Sequence, residues 1–502
     1  MNMKFAVLCD LHLPFLQNTA QYAALDWAIG EIQRQVPMAV AVVGDITAYG
    51  EIASMEHFVK KMKSLPHPKL ILSGNSDIRQ EKTREAILAH TKSDSLQIGD
   101  TTLVGLCVHD RIVTHEDRKL LSSLTGKIIL FLHYDMHSLE EDSLEFLETW
   151  AETRDVHIIH GHRHEDSETE CRGTKITGLR CLDPDKTKGQ PPCIYFFTVE
   201  EDGTLTKEEV CFTFPSDNLK DLKALIGFSC FRPKTDIPYA AEHGIKVIEV
   251  RKFGGQYGSF SEISALCEDF RKKGGQYISL HLPTIGWQNG EVTGKTDFLE
   301  AIEFAKLLRA DGLTLHAPRV RKDEMLPDSI PWKAVLRTIS EGLKALPEGV
   351  TLGIENVHLN PGEKDDGTRF FGCAPEECLA FMQAVRECCG KKNIGITLDT
   401  GHVRSNGSIG HQYTSGVWYE MVGRETVAYH VHQRKFLDGK RRNHTAISNW
   451  YGGEISYASF FWAWQAGKLN HKPMFLEMKN LENCIESYAV LEKIREVSGI
   501  DV

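Results

Sequence analysis

Apolar and polar positions alternate along this chain in blocks, and nearly every apolar block ends in a residue that can bind a metal. In the first two hundred residues, Phe5-Ala6-Val7-Leu8-Cys9 runs into Asp10-Leu11-His12. Val40-Ala41-Val42-Val43 runs into Gly44-Asp45, and Leu70-Ile71-Leu72 into Gly74-Asn75-Ser76-Asp77. Ile128 to Leu132 leads to His133, and Ile158-Ile159 to His160-Gly161-His162-Arg163-His164. Short β-branched runs of this kind predict buried strands. Apolar residues at helical spacing over 20–36, 51–64 and 138–152 predict helices between them. Strand–helix alternation predicts an α/β sandwich whose strand ends carry the ligands. Ile194 to Val199, a turn at Asp202-Gly203 and a strand ending near Phe212 predict a hairpin that closes this domain, 1–215, with Phe214-Pro215-Ser216-Asp217-Asn218 as the boundary.

The pattern then changes period and runs on over 222–502. Eight strand-like runs recur with helices between them: Leu225–Phe231, Lys246–Val250, Tyr277–Leu282, Leu313–Leu315, Thr351–Ile354, Asn393–Leu398, Val427–Val431 and Met474–Leu476. That count and length predict a (β/α)8 TIM barrel, in which chemistry sits at the strand ends. Those ends carry Glu249, His281, His316, Glu355, Asp399 with His402, His430 with His432, and Glu477. One inward glutamate would read as a buried ion-pair partner; seven such ends in series point to a metal centre.

Composition narrows the class. The 502 residues need more than one ordinary domain. A net charge of −11 argues against bulk binding of nucleic acid. Thirteen scattered cysteines without a C-x-x-C suit a reducing cytosol, and no apolar run is long enough to span a membrane. The expectation is a cytoplasmic protein with no membrane partner.

The first half resembles the calcineurin-like metallophosphoesterases, whose order is D-x-H, G-D, G-N-H-D/E, H and G-H-x-H. The resemblance implies that Asp10, His12 and His164 hold one divalent metal and that Asn75, His133 and His162 hold a second, with Asp45 bridging. Mn, Fe, Zn or Ni suits such a mixed N and O set. Asn75 and His162 belong to the implied catalytic set. The sequence departs from the family at Ser76, where a histidine credited with protonating the leaving group usually stands.

The second half resembles the xylose isomerase-like barrels, a group that includes sugar isomerases and epimerases and the zinc AP endonucleases. Leu398-Asp399-Thr400-Gly401-His402 and Gly353-Ile354-Glu355-Asn356 carry the likeness. In the isomerase branch the implied metal ligands are Glu355, Asp399, His432 and Glu477, with Glu355 and Glu477 moving a proton. His432 is preferred over His430 because His432-Gln433-Arg434-Lys435 lies nearer the family's H-x-K-D. In the endonuclease branch His281, His316, His402 and His444 would add further ligands, but the expected aspartate two residues before His444 is Arg442. One to three divalent metals, Zn, Mn or Mg, follow. Arg434, Lys435 and Arg442, in the loop after the seventh strand, are candidates to bind phosphate. The combined expectation is a phosphoesterase fused to a sugar or sugar-phosphate isomerase, with a small phosphorylated substrate. Nucleic-acid processing and a non-catalytic sensor domain are the alternatives.

Overall fold

The computed structural model describes residues 2–212, 222–360, 362–452 and 454–490. The proposed boundary segment 214–218 lies outside them. The chain divides into two compact units, one made of Met1–Phe214 with Ser456–Ser459, the other of Pro215–Ile455 with Phe460–Val502.

The first unit is a two-sheet α/β sandwich. Its strands are β1 (Met3–Leu8), β2 (Ala39–Val43), β3 (Lys69–Leu72), β4 (Asp94–Ile98), β5 (Thr101–Leu106), β6 (Lys127–Leu132), β7 (Asp155–His160), β8 (Ser167–Cys171), β9 (Thr174–Gly178), β10 (Cys193–Val199) and β11 (Leu205–Cys211). One sheet runs β11-β10-β1-β2-β3, the other β4-β5-β6-β7-β9-β8. Phe5, Val7, Val43, Leu72, Phe131, Ile159 and Tyr195 pack between the sheets. The parallel strands β1, β2 and β6 read as largely apolar runs because both their faces are covered, whereas β3, at a sheet edge, and β7 keep half-buried or exposed positions. The last hairpin, β10–β11, adds its first strand antiparallel to β1.

Two hairpins in this unit have no counterpart in the expectations above. β4 and β5 are joined at Gly99-Asp100, with Gly99 at φ 59°. β8 and β9 are joined at Arg172-Gly173, both at positive φ. Each is a two-residue turn of the kind hairpins favour. Their strands are mostly polar, so apolar periodicity passes over them.

The second unit is a closed barrel of eight parallel strands: Ile226–Cys230, Val247–Val250, Tyr277–His281, Gly312–His316, Thr351–Glu355, Ile394–Asp399, Thr426–Val431 and Met474–Leu476. The eighth pairs with the first. Helix starts follow simple rules. Ser259 caps Phe260–Lys272 in a reciprocal box with Glu262, and Pro375 opens Pro375–Cys389, which Gly390 ends in the left-handed conformation. Two hairpins decorate the strand-end side: Gly286–Gln288 with Glu291–Thr293, and Gln433–Leu437 with Lys440–Thr445. No helix among the described residues is long and apolar enough to cross a membrane. None of the cysteines forms a disulfide.

Candidate metal centres

All seven residues singled out in the first half meet at one end of its sheets. Asp10 and His12 follow β1, Asp45 follows β2, Asn75 follows β3, His133 follows β6, and His162 and His164 follow β7. Five of them, Asp10, His12, Asp45, His162 and His164, sit at positive φ. L residues rarely adopt that conformation, and such strain collects where surrounding structure holds side chains for function. Gly161 is needed for a different reason. A β-carbon there would lie 2.2 Å from Cys9 Sγ and 2.5 Å from Asp10 Oδ2.

The ligand atoms form two groups that share one residue. Asp10, His12, Asp45 and His164 make the first, and Asp45, His133 and His162 the second. Asp45 turns Oδ2 to His12 Nε2 at 3.6 Å and Oδ1 to His133 Nε2 at 3.3 Å. Nitrogens face nitrogens: His12 Nε2 lies 3.3 Å from His164 Nε2. Asn75 Oδ1 lies 3.2 Å from His133 Nε2 and 2.9 Å from His162 Nδ1. Asp10 Oδ1 is buried and takes no hydrogen bond. A cation satisfies lone pairs that converge in this way.

The surroundings prepare the ligands. His133 donates Nδ1–H to the Val43 carbonyl at 3.0 Å, which leaves Nε2 as the lone-pair nitrogen. Burial, with His133 beside it, holds His162 down to about 4, so that ring is neutral at physiological pH. Burial likewise keeps His12 neutral. Asp77, the last residue of its block, is a clamp. It accepts from the main-chain N–H groups of Ile46, Thr47 and Gly74 and from the Thr47 hydroxyl, tying the ends of β2 and β3 together.

Ser76 donates its main-chain N–H to Asp45 Oδ1 at 2.7 Å. Its hydroxyl is fully buried and has no hydrogen-bond partner. A group so enclosed cannot protonate a departing oxygen. Hydrolysis of aryl phosphate esters is therefore expected to depend steeply on leaving-group acidity. Ser76→Ala should change both the rates and that slope by less than about twofold. A large loss of rate in Ser76→Ala, or a flat dependence in the wild type, would show that an acid operates at this position or elsewhere.

The barrel gathers a second set at its strand ends. Glu355 is fully buried, with His281 Nε2 at 3.0 Å, His430 Nδ1 at 2.9 Å and His316 Nε2 at 3.2 Å around its oxygens. Asp399 caps the short helix after the sixth strand through His402 N at 2.7 Å, and its Oδ2 takes no hydrogen bond. Asn356 exchanges two hydrogen bonds with the Asp399 main chain and so aligns the fifth and sixth strand ends. Glu477 pairs with Arg251 at 2.7 Å, and its Oε2 faces His430 Nδ1 at 3.3 Å. His281, His402 and His444 each give Nδ1 to a main-chain carbonyl, of Leu282, Asn356 and Glu477, which fixes the ring and leaves Nε2 to the site. Burial and Arg251 lower His281 to about 4; burial and His432 lower His444 to about 3.

His430 and His432 divide along their hydrogen bonds. His430 lies nearer the carboxylates, within ligand reach of Glu355, Asp399 and Glu477. Yet its Nε2 goes to Glu249 at 2.9 Å while its Nδ1 goes to Glu355. Burial opposes charge on that ring, but Glu249, Glu355 and Glu477 outweigh it and raise its pKa well above the usual value. Against burial, Asp399 raises the pKa of His432 as well, so protonation does not choose between the two rings. His432 turns Nε2 to Asp399 Oδ1 at 3.6 Å. Gly401 makes room for it, since a β-carbon there would lie 2.1 Å from His432 Nε2.

Glu249, one of the strand-end residues above, and Arg251 complete the interior. Glu249, on the second barrel strand, accepts from Ser229, Thr314 and His430 in full burial. Arg251 lies two residues further on, and the Glu-x-Arg spacing at a strand end was its only signal. The three residues of the expected phosphate cluster differ in their surroundings. Arg434 is tied to Glu454, to the Arg404 carbonyl and to Ser405; Lys435 reaches Ser448; and Arg442 is exposed. The cations that line the described mouth cavities are Arg251, Lys252 and Arg319.

Residues 237–494 match the family described as the xylose isomerase-like TIM barrel, and residues 3–200 match the calcineurin-like phosphoesterase superfamily domain. The chain belongs to the xylose isomerase-like TIM barrel family and carries a calcineurin-like phosphoesterase domain. Among solved structures similar to this xylose isomerase-like chain is a D-tagatose 3-epimerase-like protein, 18% identical, with 55% of this chain and 98% of that one covered and a TM-score of 0.40. An L-ribulose 3-epimerase is 16% identical, with 56% and 93% covered and a TM-score of 0.37. A xylose isomerase domain protein from Alicyclobacillus acidocaldarius is 17% identical, with 52% and 92% covered and a TM-score of 0.32. No curated protein matches the chain. Members of both families are usually enzymes and generally depend on divalent metals.

Proposed function

We propose that the chain is a two-site metalloenzyme: a dinuclear phosphoesterase joined to a metal-dependent isomerase or epimerase of a sugar or sugar phosphate. The observation that carries the first activity is Asp45, whose two oxygens serve two converging ligand groups. Bound there, a pair of divalent cations would supply Lewis acidity and an acidified water. Asp10, His12 and His164 would hold one cation; Asn75, His133 and His162 would hold the other. The uncharged rings of buried His12 and half-buried His162 are already in the ligand form.

In the barrel, Glu355, Asp399, His432 and Glu477 would hold one divalent cation, which supplies polarisation of a carbonyl or hydroxyl oxygen. The chain's own residues define the rest. Glu355 is wrapped by three histidines and suits a fixed ligand. Glu477 Oε2 takes no hydrogen bond and is the better placed to carry a proton to and from carbon. His281 and His316 face Glu355 and can orient substrate hydroxyls.

One observation favours a second reading. His281, Glu355 and His430 form a further group within ligand distance of one another, and His402 and His444 point Nε2 inward. A multinuclear, endonuclease-like centre would use such histidines. The test is metal content per full-length chain together with two assays: hydrolysis of an activated aryl phosphate, and deuterium exchange into a panel of sugars. About three metals per chain with both activities is the expected result. About five metals, with cleavage of abasic-site DNA and no exchange into any sugar, would replace the isomerase reading with the nuclease.

A further inference from the structure

The loop after the fourth barrel strand carries three cations, and only one lacks a carboxylate partner. Arg321 pairs with Asp323 at 2.8 Å, and Lys322 lies 3.7 Å from Asp365 and 3.6 Å from Glu377. Arg319 has no carboxylate partner among the described residues. Its guanidinium sits over the Phe370 ring, 4.9 Å from the centroid. Stacking of this kind holds the fork flat and leaves its N–H edge open. The backbone beneath is fixed: Arg319 N donates to Ile285 O at 2.9 Å, and Arg319 O accepts from Trp287 N at 3.3 Å.

Arg319 lines a cavity of about 210 Å³ together with Thr284, His316, His358, Phe370 and His402. That wall adjoins the carboxylate cluster, because His316 Nε2 is 3.2 Å from Glu355 and His402 N is 2.7 Å from Asp399. Glu249, Glu355, Asp399 and Glu477 together would repel an oxyanion from the centre itself. Arg251, on the adjoining cavity, is already taken by Glu477. An unneutralised, aromatic-backed guanidinium at the rim is where an oxyanion on the same substrate would be held.

We propose that the barrel takes a polyol bearing a terminal oxyanion, a sugar phosphate or a sugar acid, with that group on Arg319 and the hydroxyls on the carboxylate cluster. This rests on the reading of the barrel as a polyol enzyme and names its substrate class. Arg319 is a specificity-determining residue; it does not take part in the proton transfer.

The test is calorimetry on the full-length, metal-loaded chain. The background is Asp45→Asn, which disables the phosphoesterase half as a phosphonate site. Three probes are used: a ketopentose, its terminal methylenephosphonate, and the corresponding terminal carboxylic acid. The charged probe that fits should bind at least about tenfold tighter than the free sugar, and Arg319→Ala should remove that advantage. Arg319→Lys should keep part of it, and Arg321→Ala should keep all of it. Whichever anionic probe shows the Arg319-dependent gain distinguishes phosphate from carboxylate. Equal affinity for charged and uncharged probes, no binding at all, or equal loss in Arg321→Ala would overturn the subsite. Arg319-dependent binding without deuterium exchange into any probe would uphold the subsite and remove the isomerase reading instead.

Discussion

Asp45→Asn is expected to reduce hydrolysis of an activated aryl phosphate by at least about a thousandfold, or roughly 4 kcal/mol of transition-state stabilisation. Asparagine keeps the shape but removes the negative charge, and its amide nitrogen offers no lone pair to a metal. Only one of the two ligand groups would then retain an oxygen from position 45. Both groups depend on this residue, through Oδ2 at His12 and Oδ1 at His133. The Ser76 N–H also loses its anionic acceptor, which holds the end of β3 in place. Elemental analysis should show loss of metal from the first unit, with the barrel metal retained. Full activity with all metal still bound would remove the dinuclear assignment.

Glu477→Gln is expected to abolish deuterium exchange at the carbon beside a sugar carbonyl, by about a thousandfold or more, while metal still binds. The amide cannot carry the proton, although it can keep an oxygen toward a cation. The pairing with Arg251 at 2.7 Å would weaken, so Arg251 would turn to Glu249, 3.6 Å away in the wild type. Phosphoesterase activity should be unchanged, because it belongs to the other unit. Exchange that survives in Glu477→Gln and disappears in Glu355→Gln would move the proton-carrying role to Glu355.

Much of this architecture is written in local pattern. Strands buried on both faces are largely apolar, so β1, β2 and β6 and most of the barrel strands stand out in the chain. Their ends are also legible, because a strand that opens onto a site changes abruptly from apolar to ligand. Asp10-Leu11-His12 and Leu398-Asp399 show this at single-residue resolution. Polar strands are different. β4 and β8 take their place through turn geometry at Gly99-Asp100 and Arg172-Gly173, and those dipeptides were the available signal.

What tertiary structure alone decided is which polar atoms spend their hydrogen bonds on one another. Sequence spacing placed His430 and His432 together at the end of the seventh strand and could not separate them. The fold gives them different surroundings, because Glu249 arrives from the second strand beside His430. Spacing also grouped Arg434, Lys435 and Arg442 as one basic cluster. The fold ties Arg434 to Glu454 and leaves Arg319, more than a hundred residues earlier, facing a cavity without a carboxylate. Hydrophobic period is a property of neighbouring residues, so the chain itself determines its strands, helices and candidate ligands. Charge neutralisation joins residues remote in sequence, so only the folded barrel determines which candidates stay free to act.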